Sequence, residues 1–484
     1  MGNMINKIYQ KILKLYSKTT THYLIGIGII IFFTLAYIVL LLNKYWQFEY
    51  FFVDNVYFDT AIWKVAHLQA PIVNHTALGR INILGDHFHP AIFLFSLLYL
   101  ITSRQEIIFI GMSIVYGLSA FLAMLVGFKL VKSKFIIYSL LIAYFLYMGT
   151  QNAMIYGFHE LILMPLFFFL TLFFLFYKHE RWYWAGLVFL LLTKESLAAV
   201  AITLGIFIII SLPRKRKIGI ITIAVSLIYF FIVTHYVIPH FSGKYYYSES
   251  SVPKSFGKLA IKLIDPPEKI STFLISNSTF GFLPFLNIAT LPMVLQDFFV
   301  RYIFAPEGSI QYRLVYHYNL GLVPILLFSS LWSIHKLQKN RKLVKLLPLI
   351  GVAVLSFSIY YHRFSSSRGP LLLVFNSEFY KSTRTNSYLW KLVDEVPRDG
   401  KIMTQNHLGL AFAHDDVYQM TVSHDYFEKI DPKYVVFDLR DGQNPNNYTP
   451  ISETDTKNLK ELLLDSWNYK ISLQRGSFYI FKKL

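Results

Sequence analysis

The chain contains no cysteine, which excludes disulfide staples, thiolate metal sites and cysteine nucleophiles. Charge is also scarce. Only 15% of the 484 residues are Asp, Glu, Lys or Arg, against roughly 25% in an ordinary soluble domain. What charge there is has mostly one sign: residues 1–361 carry 30 Lys/Arg against 13 Asp/Glu, whereas 362–484 carry 16 against 15. A nucleic-acid binder would display such an excess as a basic face on a soluble domain. Here it lies in short stretches between apolar runs, as the positive-inside rule expects of a membrane protein, so no nucleic-acid partner is expected. Neither an internal repeat nor a low-complexity linker is visible.

The surplus is apolar. Hydrophobic residues make up 55% of the chain and aromatics 18%, with 44 Phe and 34 Tyr. The run YLIGIGIIIFFTLAYIVLLL (23–42) has the roughly 20 residues needed to cross a bilayer core. The fold class is therefore an α-helical polytopic membrane protein, with the lipid bilayer as its first partner. Lys7, Lys11, Lys14 and Lys18 precede the first run, which is long and lacks a small-residue cleavage site. They mark 1–22 as a cytoplasmic N-terminus before an uncleaved signal-anchor in the plasma (cytoplasmic) membrane.

Basic clusters then assign sides. Residues 23–43 cross outward and 44–88 form a large first outer loop. The run 90–101 is short for a span and reads as interfacial or re-entrant, and 107–128 returns inward to KLVKSK (129–134). YGFHE (156–160) and the hairpin tip TKES (193–196) fall outside, while KHER (178–181) and PRKRK (213–217) fall inside. A second outer loop, 238–271, precedes the Pro-interrupted helices of 272–300. About nine or ten spans fit within 23–361. Composition changes at 362. NSYLWKLVDEVPRDG reads as a helix and a turn, PKYVVFDLRDG as a buried strand, DTKNLKELLLDSW as a helix and YKISLQRGSFYIFKK as a hairpin turning at Arg475-Gly476. Residues 362–484 are thus expected to form a small extracytoplasmic α/β domain.

Ionisable groups at membrane depth cost roughly 2.5–3.5 kcal/mol each on insertion scales and mark sites. Four groups fall on the outer side: Asp54 with Asp59; Asp86, His87 and His89 in GDHFHP; His159 with Glu160; and Lys194 with Glu195. A carboxylate there suits a general base, and carboxylates with imidazoles suit a divalent cation. Lys194, Arg301 or Arg313 suits a phosphate leaving group. Each has a plainer reading. Asp54 reads best as a solvated loop residue, and Asp86 before Pro90 has the form of a helix cap. Lys194–Glu195 can be an interfacial pair, while Arg301, Arg313 and His317 can be interface anchors. What argues for function is that all four groups share one side.

Taken in order, YFDTAIWKVAH, LGDHFHP, FHE, TKES and YHYNLGLVP resemble a family of uncharacterised polytopic membrane proteins of bacteria and archaea. That family is grouped with the GT-C glycosyltransferases, the clan of protein mannosyltransferases and aminoarabinose transferases. The resemblance covers most of 45–335. His89 replaces a small residue of the family pattern, Glu160 follows His159 without an intervening Pro, and Ser196 stands where a second acid is more common. The resemblance implies a GT-C architecture, a polyprenyl-phosphate-linked sugar donor and a first outer loop bearing the catalytic acid. Asp59 matches that acid, and Glu160 or His159 matches a second acidic site. The expected activity is inverting transfer of a sugar to an extracytoplasmic acceptor. Asp59 and Glu160 are its expected catalytic residues, with Lys194, Arg301, Arg313 and His317 on the phosphate side. Asp86, His87 and His159 are the expected ligands of a Mg2+ or Mn2+ ion. The competing expectations are a transporter or flippase of a lipid-linked sugar and a non-catalytic membrane scaffold presenting the 362–484 domain.

Overall fold

A computed structural model describes residues 2–247, 252–253, 255–306, 308–365, 368–465 and 467–484, with side chains from residue 21 onward. Five of the described helices are long and apolar enough to cross a membrane: Thr21–Trp46, Glu106–Leu130, Pro213–Ser242, Asn319–Leu337 and Leu343–Phe364. Shorter apolar helices stand among them at Pro90–Tyr99, Lys134–Leu146, Glu160–Phe176 and Glu195–Ser211. At 1.5 Å per residue, a 17-residue helix reaches only about 25 Å, short of the ~30 Å hydrocarbon core. The helices that open on Glu160 and Glu195 begin inside the bundle, where both glutamates are fully buried, and acidic side chains at helix N-termini complement the helix dipole. The segment expected to be interfacial or re-entrant is short indeed, Pro90–Tyr99, and the Pro-interrupted stretch breaks into Leu283–Leu286 and Leu291–Phe299.

The bundle interior is aromatic and hydroxyl-rich. Tyr116 stacks on Tyr144 with centroids 4.6 Å apart, and the Tyr37 hydroxyl donates to the Phe145 carbonyl at 2.8 Å. Dry interiors require such pairing of polar groups. Helices Ala198–Ser211 and Arg216–Ile232 cross through glycines. A Cβ on Gly205 would stand 2.8 Å from the Gly219 carbonyl oxygen, so the small residues permit the close approach.

After the first helix, α1 (Gly2–Trp46), the chain enters α2 (Phe52–Ala66) through two non-helical residues, Val53 and Asp54. A two-stranded hairpin, β1 (Ile72–His75) with β2 (Gly79–Asn82), follows. The C-terminal region carries a five-stranded sheet: β3 (Ile402–Thr404), β4 (Val417–Gln419), β5 (Tyr434–Asp438), β6 (Tyr469–Arg475) and β7 (Phe478–Lys483). Its order is β4-β3-β5-β7-β6. The first three strands run parallel, and β7 and β6 are antiparallel. The expected helix, buried strand, helix and terminal hairpin are found at Ser377–Asp394, β5, Glu453–Asp465 and β6–β7.

This sheet is fastened to α2 at both ends. Asn406, just past β3, accepts from the Phe52 backbone N–H at 2.9 Å, and Thr60 donates to the Ala413 carbonyl at 2.7 Å. Inside the sheet domain, buried Asp438 takes three hydrogen bonds of 2.7–3.0 Å from Arg440 and lies 3.3 Å from His407. Burial raises the Asp438 carboxyl, but His407 and Arg440 more than offset this and hold it at about 2. Because that folded value is depressed, the group contributes its full stability above the free Asp value near ~3.9, about 2 kcal/mol, and loses it as pH falls through about 2. Asp438→Asn is expected to lower the unfolding temperature of the detergent-solubilised chain at pH 7. It should also flatten the acid limb of stability against pH below pH 5.

Candidate active site

Asp54 has φ +67° and ψ −58°, the rare and strained γ-turn conformation. Asp is one of the few non-glycine residues that enters positive φ at all, and strain of this kind persists only where surrounding contacts fix it. Here the Tyr156 hydroxyl donates to Asp54 Oδ2 at 3.0 Å. The neighbouring Asn55 accepts from the Phe158 N–H at 3.0 Å and donates to the Tyr156 carbonyl at 3.3 Å. Gly157 makes this possible: its φ is +113°, and a Cβ would lie 1.8 Å from Asn55 Oδ1. Gly157→Ala is expected to destabilise the fold by on the order of 2–3 kcal/mol, read as a lower unfolding temperature.

Around this turn a cluster of buried polar groups collects. Glu160 is fully buried, with Lys194 Nζ 2.7 Å from Oε1 and His159 Nδ1 3.0 Å from Oε2. The His159 ring stacks on His317 with centroids 3.4 Å apart. Asp54, His159 and His317 each offer one ligand atom, and the three atoms lie within 4.8 Å of one another. Burial pushes the Asp54 carboxyl above its ordinary value, against the pull of His159 and the Tyr156 hydroxyl. Burial also holds the His317 imidazole well below its usual range. Its Nδ1 is buried and has no hydrogen-bond partner among the described residues, so a neutral imidazole stands ready for a ligand.

The GDHFHP stretch packs beside Glu195. His87 Nδ1 meets Glu195 Oε1 at 2.7 Å, and the Phe88 N–H donates to Glu195 Oε2 at 3.0 Å. The segment after Pro213–Ser242 packs over it: Tyr245 donates to Glu195 at 3.3 Å, Tyr247 donates to Asp86 at 2.7 Å, and the Tyr247 ring stacks on His87 at 4.2 Å. Burial raises the Asp86 carboxyl, yet His87 and the Tyr247 hydroxyl bring it below the usual carboxylate range. His89 packs against Phe58, and burial takes its imidazole down to about 4.

Asp59 faces elsewhere. The Tyr99 hydroxyl donates to one carboxylate oxygen. Gln105 Nε2 at 2.8 Å and His414 Nε2 at 3.1 Å hold the other. Asp59 thus ties α2 to the loop beyond β3. Arg301 is also tied internally, to Asp297 at 3.1 Å, Asn319 at 3.0 Å and the Gln311 carbonyl at 2.9 Å, while Arg313 is exposed. Of the residues singled out from sequence, Glu160, Lys194, His159 and His317 converge, with Asp86 and His87 beside them. Asp54, expected to be a solvated loop residue, belongs to that group.

A family model described as "Predicted membrane protein (DUF2079)" matches residues 44–475. The chain belongs to the DUF2079 family. Its fold is similar to the crystal structure of ArnT from Cupriavidus metallidurans bound to undecaprenyl phosphate. The TM-score is 0.57 and the identity 10%, over 94% of this chain and 98% of that one. No curated protein matches in sequence. This DUF2079 protein therefore has the GT-C fold its motifs implied, and it is the membrane protein its composition indicated. The Lys- and Tyr-rich stretch SGKYYYSES marks Tyr245 and Tyr247 in sequence as a cover for the site, whereas Tyr156 opens YGFHE with no role of its own assigned. For Asp54, the one usable signal is that Asp tolerates the backbone required there.

Proposed function

We propose that this protein is an inverting membrane glycosyltransferase that moves a sugar from a polyprenyl-phosphate donor to an extracytoplasmic acceptor. The observation that carries the reading is the buried Lys194–Glu160 pair at the helix N-termini, with Asp54, His159 and His317 beside it. ArnT, whose fold it shares, binds a polyprenyl phosphate. In the reaction an acceptor hydroxyl gives its proton to the Asp54 carboxylate as its oxygen attacks the anomeric carbon. The bond from that carbon to the phosphate oxygen breaks, and its electron pair leaves on polyprenyl phosphate. Lys194 has three N–H donors, one of which faces Glu160, so the ammonium can also meet the departing phosphate. A carboxyl raised by burial is a stronger base at neutral pH than a free one. Incubating purified protein with a radiolabelled polyprenyl-phosphate sugar and a membrane extract tests the reading. Release of polyprenyl phosphate with label on a second molecule supports it. Label that crosses sealed vesicles still attached to its lipid would make the protein a flippase.

A second arrangement of the same groups is favoured by the convergence of Asp54, His159 and His317. One carboxylate and two imidazoles fit a borderline divalent ion such as Mn2+ better than Mg2+, and His317 Nδ1, without a hydrogen-bond partner among the described residues, is a ready donor. Such an ion would supply positive charge for the donor phosphate. Loss of transfer in EDTA, restored by Mn2+, distinguishes this arrangement from the metal-free one.

We also place the N-terminus inside and the sheet domain outside. The absence of native cysteine allows a direct check. In spheroplasts, exposed Asp425→Cys is expected to react with a membrane-impermeant maleimide, and exposed Lys339→Cys only after permeabilisation.

A further inference from the structure

Beneath the sheet domain lies a cavity of about 480 Å3, a volume typical of small-molecule sites, which run to roughly 300–1,000 Å3. Trp46 at the end of α1, Arg104 just before and Glu106 at the start of Glu106–Leu130, Trp390 and Asp394 from Ser377–Asp394, and His414 surround it. None of the polar groups around Glu160 lines it. The cavity exists only where the sheet domain meets the bundle. Its walls are stiff: Trp390 stacks on Phe48 at 4.3 Å and donates to the Trp46 carbonyl at 3.2 Å, and His414 stacks on Trp63 at 3.9 Å.

The lining selects a chemistry. Two carboxylates, Glu106 and Asp394, stand against one guanidinium, Arg104, so a phosphate or another anion is disfavoured. The many polar groups disfavour an acyl or prenyl chain. What matches two indoles interleaved with both donors and acceptors is a ring with C–H faces and hydroxyl edges. Indole faces pack on the C–H groups, while the carboxylates accept from hydroxyls and Arg104 donates to them. We propose that this cavity is a binding site for a neutral saccharide, separate from the cluster at Glu160. Gln105 also lines it, and Gln105 and His414 are two of the groups that hold Asp59. An occupant therefore sits one side chain away from α2.

The saccharide can be free or a lipid headgroup. Calorimetry on the full chain in nanodiscs, with cellobiose, lactose, N,N′-diacetylchitobiose and lactosylceramide as probes, decides both questions. At least one probe is expected to bind saturably, and Asp394→Asn and Glu106→Gln each to weaken it about tenfold or more. Lactosylceramide binding without lactose identifies a lipid headgroup, and lactose binding identifies a free sugar. Asp394 is exposed, so Asp394→Asn is expected to fold normally, with an unchanged unfolding temperature as the control. If no probe saturates, or if neither substitution changes the affinity, the proposal is overturned. The same titration in Glu160→Gln separates the two readings, because binding there persists whether or not the cluster at Glu160 transfers sugar.

Discussion

Lys194→Met is expected to lower the rate of sugar transfer by about 10³-fold, in line with the loss of one preorganised electrostatic group at a developing charge. It is also expected to destabilise the protein by roughly 3–5 kcal/mol, because Glu160 is left buried and charged without its partner. The two losses have different origins, and a double variant separates them. In Lys194→Met with Glu160→Gln, the uncompensated charge is gone, so most of the stability should return. The activity should not, because the phosphate still lacks its ammonium. Parallel unfolding curves and initial transfer rates on the four proteins provide the check. If activity returns together with stability, Lys194 is a structural partner of Glu160 and the phosphate needs another cation. His159 already lies 3.0 Å from Glu160, so the carboxamide of the double variant keeps a neighbour and is not stranded.

How much of this was legible beforehand depends on which physical signal each feature leaves. The spans left the strongest: about twenty apolar residues bounded by lysines and arginines can be read without any contact information. The sheet domain left alternating and helical patterns, so β5, the Glu453–Asp465 helix and the hairpin at Gly476 fell where expected. For Glu160 and Lys194 the sequence offered only the expectation that both lie on one side of the membrane, not that they meet. Their separation of 2.7 Å depends on two short helices starting at matching depth, which no local pattern encodes. The backbone at Asp54 was illegible for a related reason. Its positive φ is imposed by Asn55, Tyr156 and Gly157, and two of those lie about a hundred residues away. Sequence favoured Asp59 for the chemistry and read Asp54 as a solvated loop residue. Both follow the first span, and which way each carboxylate turns is decided by the kink between them and by the docking of a domain about 340 residues later.

That difference is the basis of the second large effect. Asp54→Asn is expected to reduce transfer by about 10²–10⁴-fold, the usual worth of a positioned general base, with little change in unfolding temperature. Asn tolerates positive φ as Asp does, and its carbonyl oxygen can still accept from Tyr156, so only the basic oxygen is lost. Asp59→Asn is expected to do the opposite. Its carboxylate accepts from Tyr99 on one oxygen and faces Gln105 and His414 with the other. An amide nitrogen placed there would meet the Gln105 donor head-on, and a buried donor without an acceptor costs about 1–3 kcal/mol. The strap between α2 and the sheet domain should loosen, read as a lower unfolding temperature and faster limited proteolysis between 395 and 415, while the intact fraction keeps most of its transfer rate. The reverse pattern, with a stable but inactive Asp59→Asn beside an active Asp54→Asn, would move the proton-accepting role to Asp59. In that case the chemistry would lie against the saccharide cavity, whose lining already includes Gln105 and His414, and the cluster at Glu160 would be left to hold the donor phosphate.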